Sequence, residues 1–250
     1  MATVLAVHAH PDDLDILAGG TLAILAAAGH AVSMVTATAG EGGSAEYPPQ
    51  ETGRIRRGEA AAAAARIGAQ YRCLGFPDLG VFNDDAARRA VTELLREMRP
   101  DIVITGSPAD YHPDHEAISL LVRDACFAAP VANYRTGDAP ALPGIPALYF
   151  TDAIGGRDRD GARLKRDFGV DVGAHYATKQ AMVAEHRSQV SWVAKQHGIG
   201  DFLADTDAWS RRVGADFGVA VAEGFRQYRH PPYPKELRLQ HLLGSAVLNP

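Results

Sequence analysis

A nearly unbroken apolar run, TVLAVHA at 3–9, leads straight into HPDD at 10–13, so one chain segment delivers His8, His10, Asp12 and Asp13 within six positions. A run without polar alternation suits a strand covered on both faces. The weakly polar ILAGGTLAILAAAG at 16–29 then reads as a helix ending at Gly29, and AVSMVTAT at 31–38 as a second strand. Strand, helix and strand at this spacing make a βαβ unit with a right-handed crossover, the building block of a parallel α/β sheet. Such sheets bind their ligands outside the carboxyl ends of the strands. A second apolar run, DIVITG at 101–106, is followed by HPDH at 112–115. Two strand ends therefore each supply histidines and carboxylates.

The rest of the chain follows the same alternation for a while. Residues 39–53 form a glycine- and proline-rich segment too long for an idle connection, which suggests a substrate-facing loop or lid. Alanine content predicts a helix over 54–68. YRCLGF at 71–76 reads as a strand. At 86–100, Val91, Leu94, Leu95 and Met98 share one side of an amphipathic helix. Pro113 suits the start of the next helix. Farther on, 145–152 reads as a strand, 178–196 as one long helix and 207–228 as another helical region. Residues 231–250 form a tail packed on the body or on a partner. Gly19 and Gly20 weaken the first helix and imply a close backbone approach there. No boundary divides the chain, so one domain is expected over 1–250, with its core in about 1–227.

The 250 residues suffice for one sizeable core. At 46% apolar and 22% charged they describe a folded chain. A net charge of −5 gives no general attraction to nucleic acid or to anionic membrane. The two cysteines, Cys73 and Cys126, have no CxxC spacing, which suits a reducing compartment. No basic leader precedes the first apolar run, and no apolar stretch is long enough to span a bilayer, so a cytoplasmic protein is expected.

Imidazoles and carboxylates together are good ligands for borderline metals such as zinc. In HPDD, one aspartate can bind a metal while the other faces its water as a general base. Each could instead cap the following helix. In HPDH, His112 and His115 lie three apart and can share one side of a helical turn. One can complete the ligand set while the other steadies an oxyanion, and Asp114 can orient an imidazole. His8 lies on the same strand face as His10, where it lines the pocket or stands behind it. Arg56 either pairs with Glu59 on its own helix or meets a substrate group. His186 is either structural or part of the site.

AHPDD at 9–13, GGTL at 19–22, TAGEGGS at 38–44 and YHPDH at 111–115 together resemble the PIG-L/LmbE-like family of zinc-dependent N-acetylglucosaminyl deacetylases. Arg56 and Glu59 match its Arg-x-x-Glu helix, and EHRSQ at 185–189 its late His-x-Ser-Gln element. The resemblance implies a Rossmann-like three-layer α/β fold, mostly parallel, with the active site at the carboxyl ends of the strands. It implies His10, Asp13 and His115 as zinc ligands, with Fe2+ or another divalent transition metal as a substitute. It makes Asp12 the general base, His112 the oxyanion stabiliser and Asp114 the group that orients His112. Asp15 stands where the family often has glutamate, and with Arg56, His8 and His186 it joins the expected substrate-side residues. The implied reaction removes acetyl from an amino sugar or its conjugate, a small-molecule partner. Two other readings remain open: an amidase acting on a larger amide, such as a thiol conjugate or antibiotic intermediate, and a sugar- or nucleotide-binding protein without catalysis. A homo-oligomer is compatible with the apolar tail.

Overall fold

The computed structural model describes residues 1–190, 192 and 201–250. Strands β1 (Thr3–His8), β2 (Ala31–Thr38), β3 (Gln70–Phe76), β4 (Ile102–Thr105) and β5 (Ala147–Thr151) pair in parallel. Strands β6 (Phe168–Asp171), β7 (Ala222–Tyr228) and β8 (Val247–Leu248) are added through antiparallel pairings. The order across the sheet is β3-β2-β1-β4-β5-β7-β6-β8. The chain thus winds outward from β1 to β3, then returns to lay β4 against the other side of β1. That reversal opens a crevice at the carboxyl ends of β1 and β4.

Strand alternation explains the layers. Val4, Ala6, Ile102, Ile104 and Tyr149 pack on one face, against α1 (Asp13–Ala27), α2 (Pro49–Ala65), α5 (Tyr176–Val183) and α7 (Arg238–Leu243). Their neighbours Leu5, Val7, Val103 and Leu148 pack on the other, against α3 (Asp85–Met98) and α4 (Pro113–Ala128). Both faces are covered, as the unbroken apolar runs of β1 and β4 require. In α3 the expected stripe does face this core: Val91, Leu94 and Leu95 are buried and Met98 packs beside them. The Asp84 side chain accepts from Ala87 N at 2.8 Å and caps its start. No described helix is long and apolar enough to cross a membrane.

Several expected boundaries shift. The segment 39–53 is a loop only to Pro48, because Pro49 opens α2 at a position where its missing N–H costs nothing. The long helix expected over 178–196 breaks after Val183: His186 turns inward, and helix resumes over 187–190. Its last part falls on 191 and 193–196, outside the described residues. The helical region expected over 207–228 is two elements. Helix α6 (Phe202–Phe217) stops at Gly218, which takes the left-handed conformation at φ 75°, and β7 follows. The C-terminal tail packs on its own chain, burying Leu239 and Leu243 and adding β8 to the sheet.

Gly20 shows why α1 carries two glycines. A Cβ there would sit 2.6 Å from the Val172 side chain. The same approach lets Glu223 of β7 reach the helix backbone, accepting from Gly20 N and Thr21 N at 2.8 Å each and from Thr21 Oγ1 at 2.6 Å. Lys179 Nζ of α5 donates to the same carboxylate at 2.7 Å, and both side chains are 1% exposed. A buried pair of this kind is costly to break because the surviving charge has no solvent. Glu223→Gln is expected to destabilise the protein by about 3 kcal/mol in urea unfolding; a loss below about 1 kcal/mol would show that Lys179 is satisfied without it.

Candidate active site

The β1 end and the β4 end are neighbours, so their two clusters face each other across the crevice. His10 Nδ1 lies 3.2 Å from His115 Nε2. Asp13 closes the triangle, with Oδ2 at 3.4 Å from His10 Nδ1 and Oδ1 at 3.4 Å from His115 Nε2. Four ligands placed tetrahedrally around zinc at about 2.1 Å are separated by roughly 3.4 Å. The spacings among the three side chains match that figure, with Asp13 reaching His10 through one oxygen and His115 through the other. Among the described residues, three combinations bring one ligand atom each within 4.8 Å of one another and could hold a metal ion: His10, His112 and His115; His8, Asp13 and His115; and His10, Asp78 and Asp114.

Each member of the triangle is held from behind. His8 Nδ1 lies 2.6 Å from Asp13 Oδ2, which also accepts from His10 N at 2.8 Å. His10 Nε2 faces Asp78 Oδ1 at 3.1 Å and Asp114 Oδ2 at 3.3 Å. His115 Nδ1 faces Asp110 Oδ1 at 3.2 Å. Carboxylates against the outward nitrogens keep protons there and leave the inward lone pairs of His10 and His115 free for a metal. Gly106, just past β4, makes room for this backing: a Cβ there would meet His8 Nε2 at 2.3 Å.

The electrostatics agree. Burial opposes charge on His10, yet Asp114, Asp13 and Asp78 together hold its pKa well above the ordinary value. Burial likewise opposes charge on Asp13, but His115 and His8 hold it well below the carboxylate range. Asp12 goes the other way. Burial raises its pKa, and the Arg56 guanidinium only partly offsets this. Two consecutive carboxylates thus sit in environments that push their acidities apart, a common mark of divided acid–base roles.

Asp12 is not a helix cap. It has a φ of 97° and makes no capping hydrogen bond. That left-handed conformation costs energy for a residue with a side chain and points to a positional demand. Arg56 meets that demand: its Nη2 lies 3.3 Å from Asp12 Oδ2 and donates to Pro11 O at 2.8 Å, while Nη1 donates to Gly40 O at 2.9 Å. Arg56 is buried, so it ties the glycine loop, the HPDD turn and the Asp12 carboxylate together. It does not pair with Glu59, whose carboxylate accepts instead from Ser188 N at 2.8 Å and Ser188 Oγ at 2.6 Å.

His112 is the N-cap of α4, and its Nδ1 accepts from Asp114 N at 3.2 Å. Burial and the neighbouring His10 and His115 lower its pKa. A neutral imidazole whose Nδ1 is an acceptor carries its proton on Nε2, as a donor. Its ring lies 4.7 Å from both His10 and His115, centroid to centroid. Asp114 differs from expectation. Its carboxylate is turned to His10 and to the backbone N–H groups of Leu79 and Val81, so it orients His10 rather than His112. The substrate-side expectations also find protein partners. His8 backs Asp13, and Asp15 Oδ2 lies 2.9 Å from His186 Nε2 in a buried pair. Asp78 and Asp110 went unread in the sequence. Asp110 stands two residues before the HPDH motif, which is the one signal that could have found it.

Comparison with known proteins places this arrangement. Residues 5–126 match the family described as PIG-L, GlcNAc-PI de-N-acetylase. A 1D-myo-inositol 2-acetamido-2-deoxy-alpha-D-glucopyranoside deacetylase from Thermobispora bispora is 30% identical, over 88% of this chain and 93% of that one. Among solved structures, N,N'-diacetylchitobiose deacetylase from Pyrococcus horikoshii superposes with a TM-score of 0.75 at 25% identity, over 90% of this chain and 83% of that one. The 4-carboxy-2-hydroxymuconate hydratase from Pseudomonas putida KT2440 superposes at 0.76 with 23% identity, over 95% and 100%, a likeness of fold alone. By sequence and by structure, the chain belongs to the PIG-L family of de-N-acetylases.

Proposed function

We propose that this chain is a metal-dependent de-N-acetylase that hydrolyses the acetamide of an amino sugar or amino-sugar conjugate to acetate and a free amine. The observation that carries the reading is the division between Asp12 and Asp13. Asp13 lies in the His10–His115 triangle with its charge stabilised, while Asp12, just before it in the chain, is half-buried, makes no side-chain capping bond and is more basic. The named activities of the Thermobispora bispora and Pyrococcus horikoshii relatives support the substrate class.

His10, Asp13 and His115 would hold zinc or a related divalent transition-metal ion. Such an ion supplies Lewis-acid polarisation of the acetamide carbonyl and makes a nearby water more acidic. Asp12 accepts the proton of the attacking water, and its raised pKa makes it a better base than an ordinary carboxylate. Arg56 keeps Asp12 aimed without neutralising it. His112 donates from Nε2 to the oxygen that gains charge as the carbonyl becomes tetrahedral. The proton held by Asp12 is then available to the departing amine. Asp114 and Asp78 steady His10, Asp110 steadies His115 and His8 steadies Asp13.

Three outcomes are expected. Asp12→Asn keeps zinc but loses at least about 100-fold in kcat for acetate release from N-acetylated amino sugars; near-parental turnover would remove Asp12 as the base. His115→Ala no longer retains zinc after dialysis, as read by elemental analysis. Asp110→Asn stays folded and weakens zinc affinity by about 10–100-fold in chelator competition; unchanged affinity would show that Asp110 does not support His115.

A further inference from the structure

We infer that the substrate carries an apolar substituent next to its acetylated amine, received by Leu79, Phe82 and Tyr111. The inference rests on the deacetylase reading and extends it to the substrate class. These three side chains are 67, 68 and 61% exposed, in a chain whose other large apolar residues are mostly buried. All three sit on segments that build the site. Leu79 follows Asp78, which faces His10, and Leu79 N donates to Asp114 Oδ2 at 2.7 Å. Phe82 follows Val81, whose N–H reaches the other oxygen of Asp114 at 3.3 Å. The Tyr111 ring lies 5.8 Å from that of His112 and 5.7 Å from that of His115.

Leu79 is the most telling. Its φ of 59° lies in the left-handed region, where a residue with a side chain is strained. The strain serves its N–H, which must reach Asp114. Glycine or asparagine would hold that turn at lower cost. A leucine there is both strained and exposed, which neither folding nor the Asp114 contact requires. Exposed apolar side chains gathered beside a reaction centre are a mark of ligand binding. With the acetamide at His10, Asp13 and His115, the remainder of the substrate would emerge past His112 and Asp114, beside the Tyr111 ring and the segment that carries Leu79 and Phe82. Polar rims suit polyol aglycones; this rim suits an alkyl or aryl group.

The test compares hexyl and methyl 2-acetamido-2-deoxy-β-D-glucopyranoside, both below any micellar concentration. Affinity is measured by calorimetry on zinc-loaded Asp12→Asn protein, and acetate release on the parent enzyme. The hexyl glycoside is expected to bind about tenfold more tightly, the equivalent of burying roughly two of its methylenes. Phe82→Ser and Leu79→Gly, each made in the Asp12→Asn background, are expected to remove most of that preference. Equal affinities, or a preference unmoved by both substitutions, would overturn the inference. So would a shift in oligomeric state on Phe82→Ser with the preference intact, because the face would then belong to a second copy. A hexyl preference without acetate release from either glycoside would support the apolar flank and remove the deacetylase reading.

Discussion

Two imidazoles and a carboxylate with atoms within 3.4 Å of one another need positive charge among them, from a proton or from a metal ion. Holding His10, Asp13 and His115 in that arrangement is the demand to which most of the surrounding structure answers. The parallel pairing of β1 with β4 sets the two strand ends side by side. Helices α1 and α4 begin at the site with Asp13 and Pro113, so their first turns carry Asp13 and His115. Behind the triangle, His8 faces Asp13, Asp78 and Asp114 face His10, and Asp110 lies beside His115.

The same logic reaches the far side of α1. Glu223 and Lys179 lie on β7 and α5, well removed in sequence from the HPDD turn, yet they clamp the helix that Asp13 starts. Gly20 allows this by leaving space for Val172. A buried ion pair contributes little net stability by itself. Here it fixes where α1 lies over the sheet, and so where Asp13 points.

The parts of this structure legible in the sequence are those coded within one short segment. HPDD and HPDH announce themselves because histidine and aspartate follow an apolar run closely, β1 and β2 are near-continuous apolar runs, and α3 carries a helical apolar stripe. What escaped depends on distant partners. Asp78 and Asp110 are lone aspartates in loops, and only the fold brings them to His10 and His115. The carboxylate of Asp114 adjoins His112 in sequence but turns to His10 in space. Arg56 has a plausible partner one helical turn away in Glu59, and tertiary contacts separate the two: Asp12 takes the arginine and Ser188 the glutamate. Strand β7 hides behind helix-compatible alanines, and the glycine that ends α6 marks the change.

Asp12 and Asp13 are consecutive, while Asp13 and His115 are a hundred residues apart. The first separation is set by one peptide unit and its unusual φ; the second depends on β1 and β4 staying paired. Any motion that slides α4 away from β1 pulls His115 out of the triangle and leaves Asp12 beside Asp13. The proposed base Asp12 is therefore covalently tethered to two of the three proposed ligands, and His115 joins them through the pairing of β1 with β4.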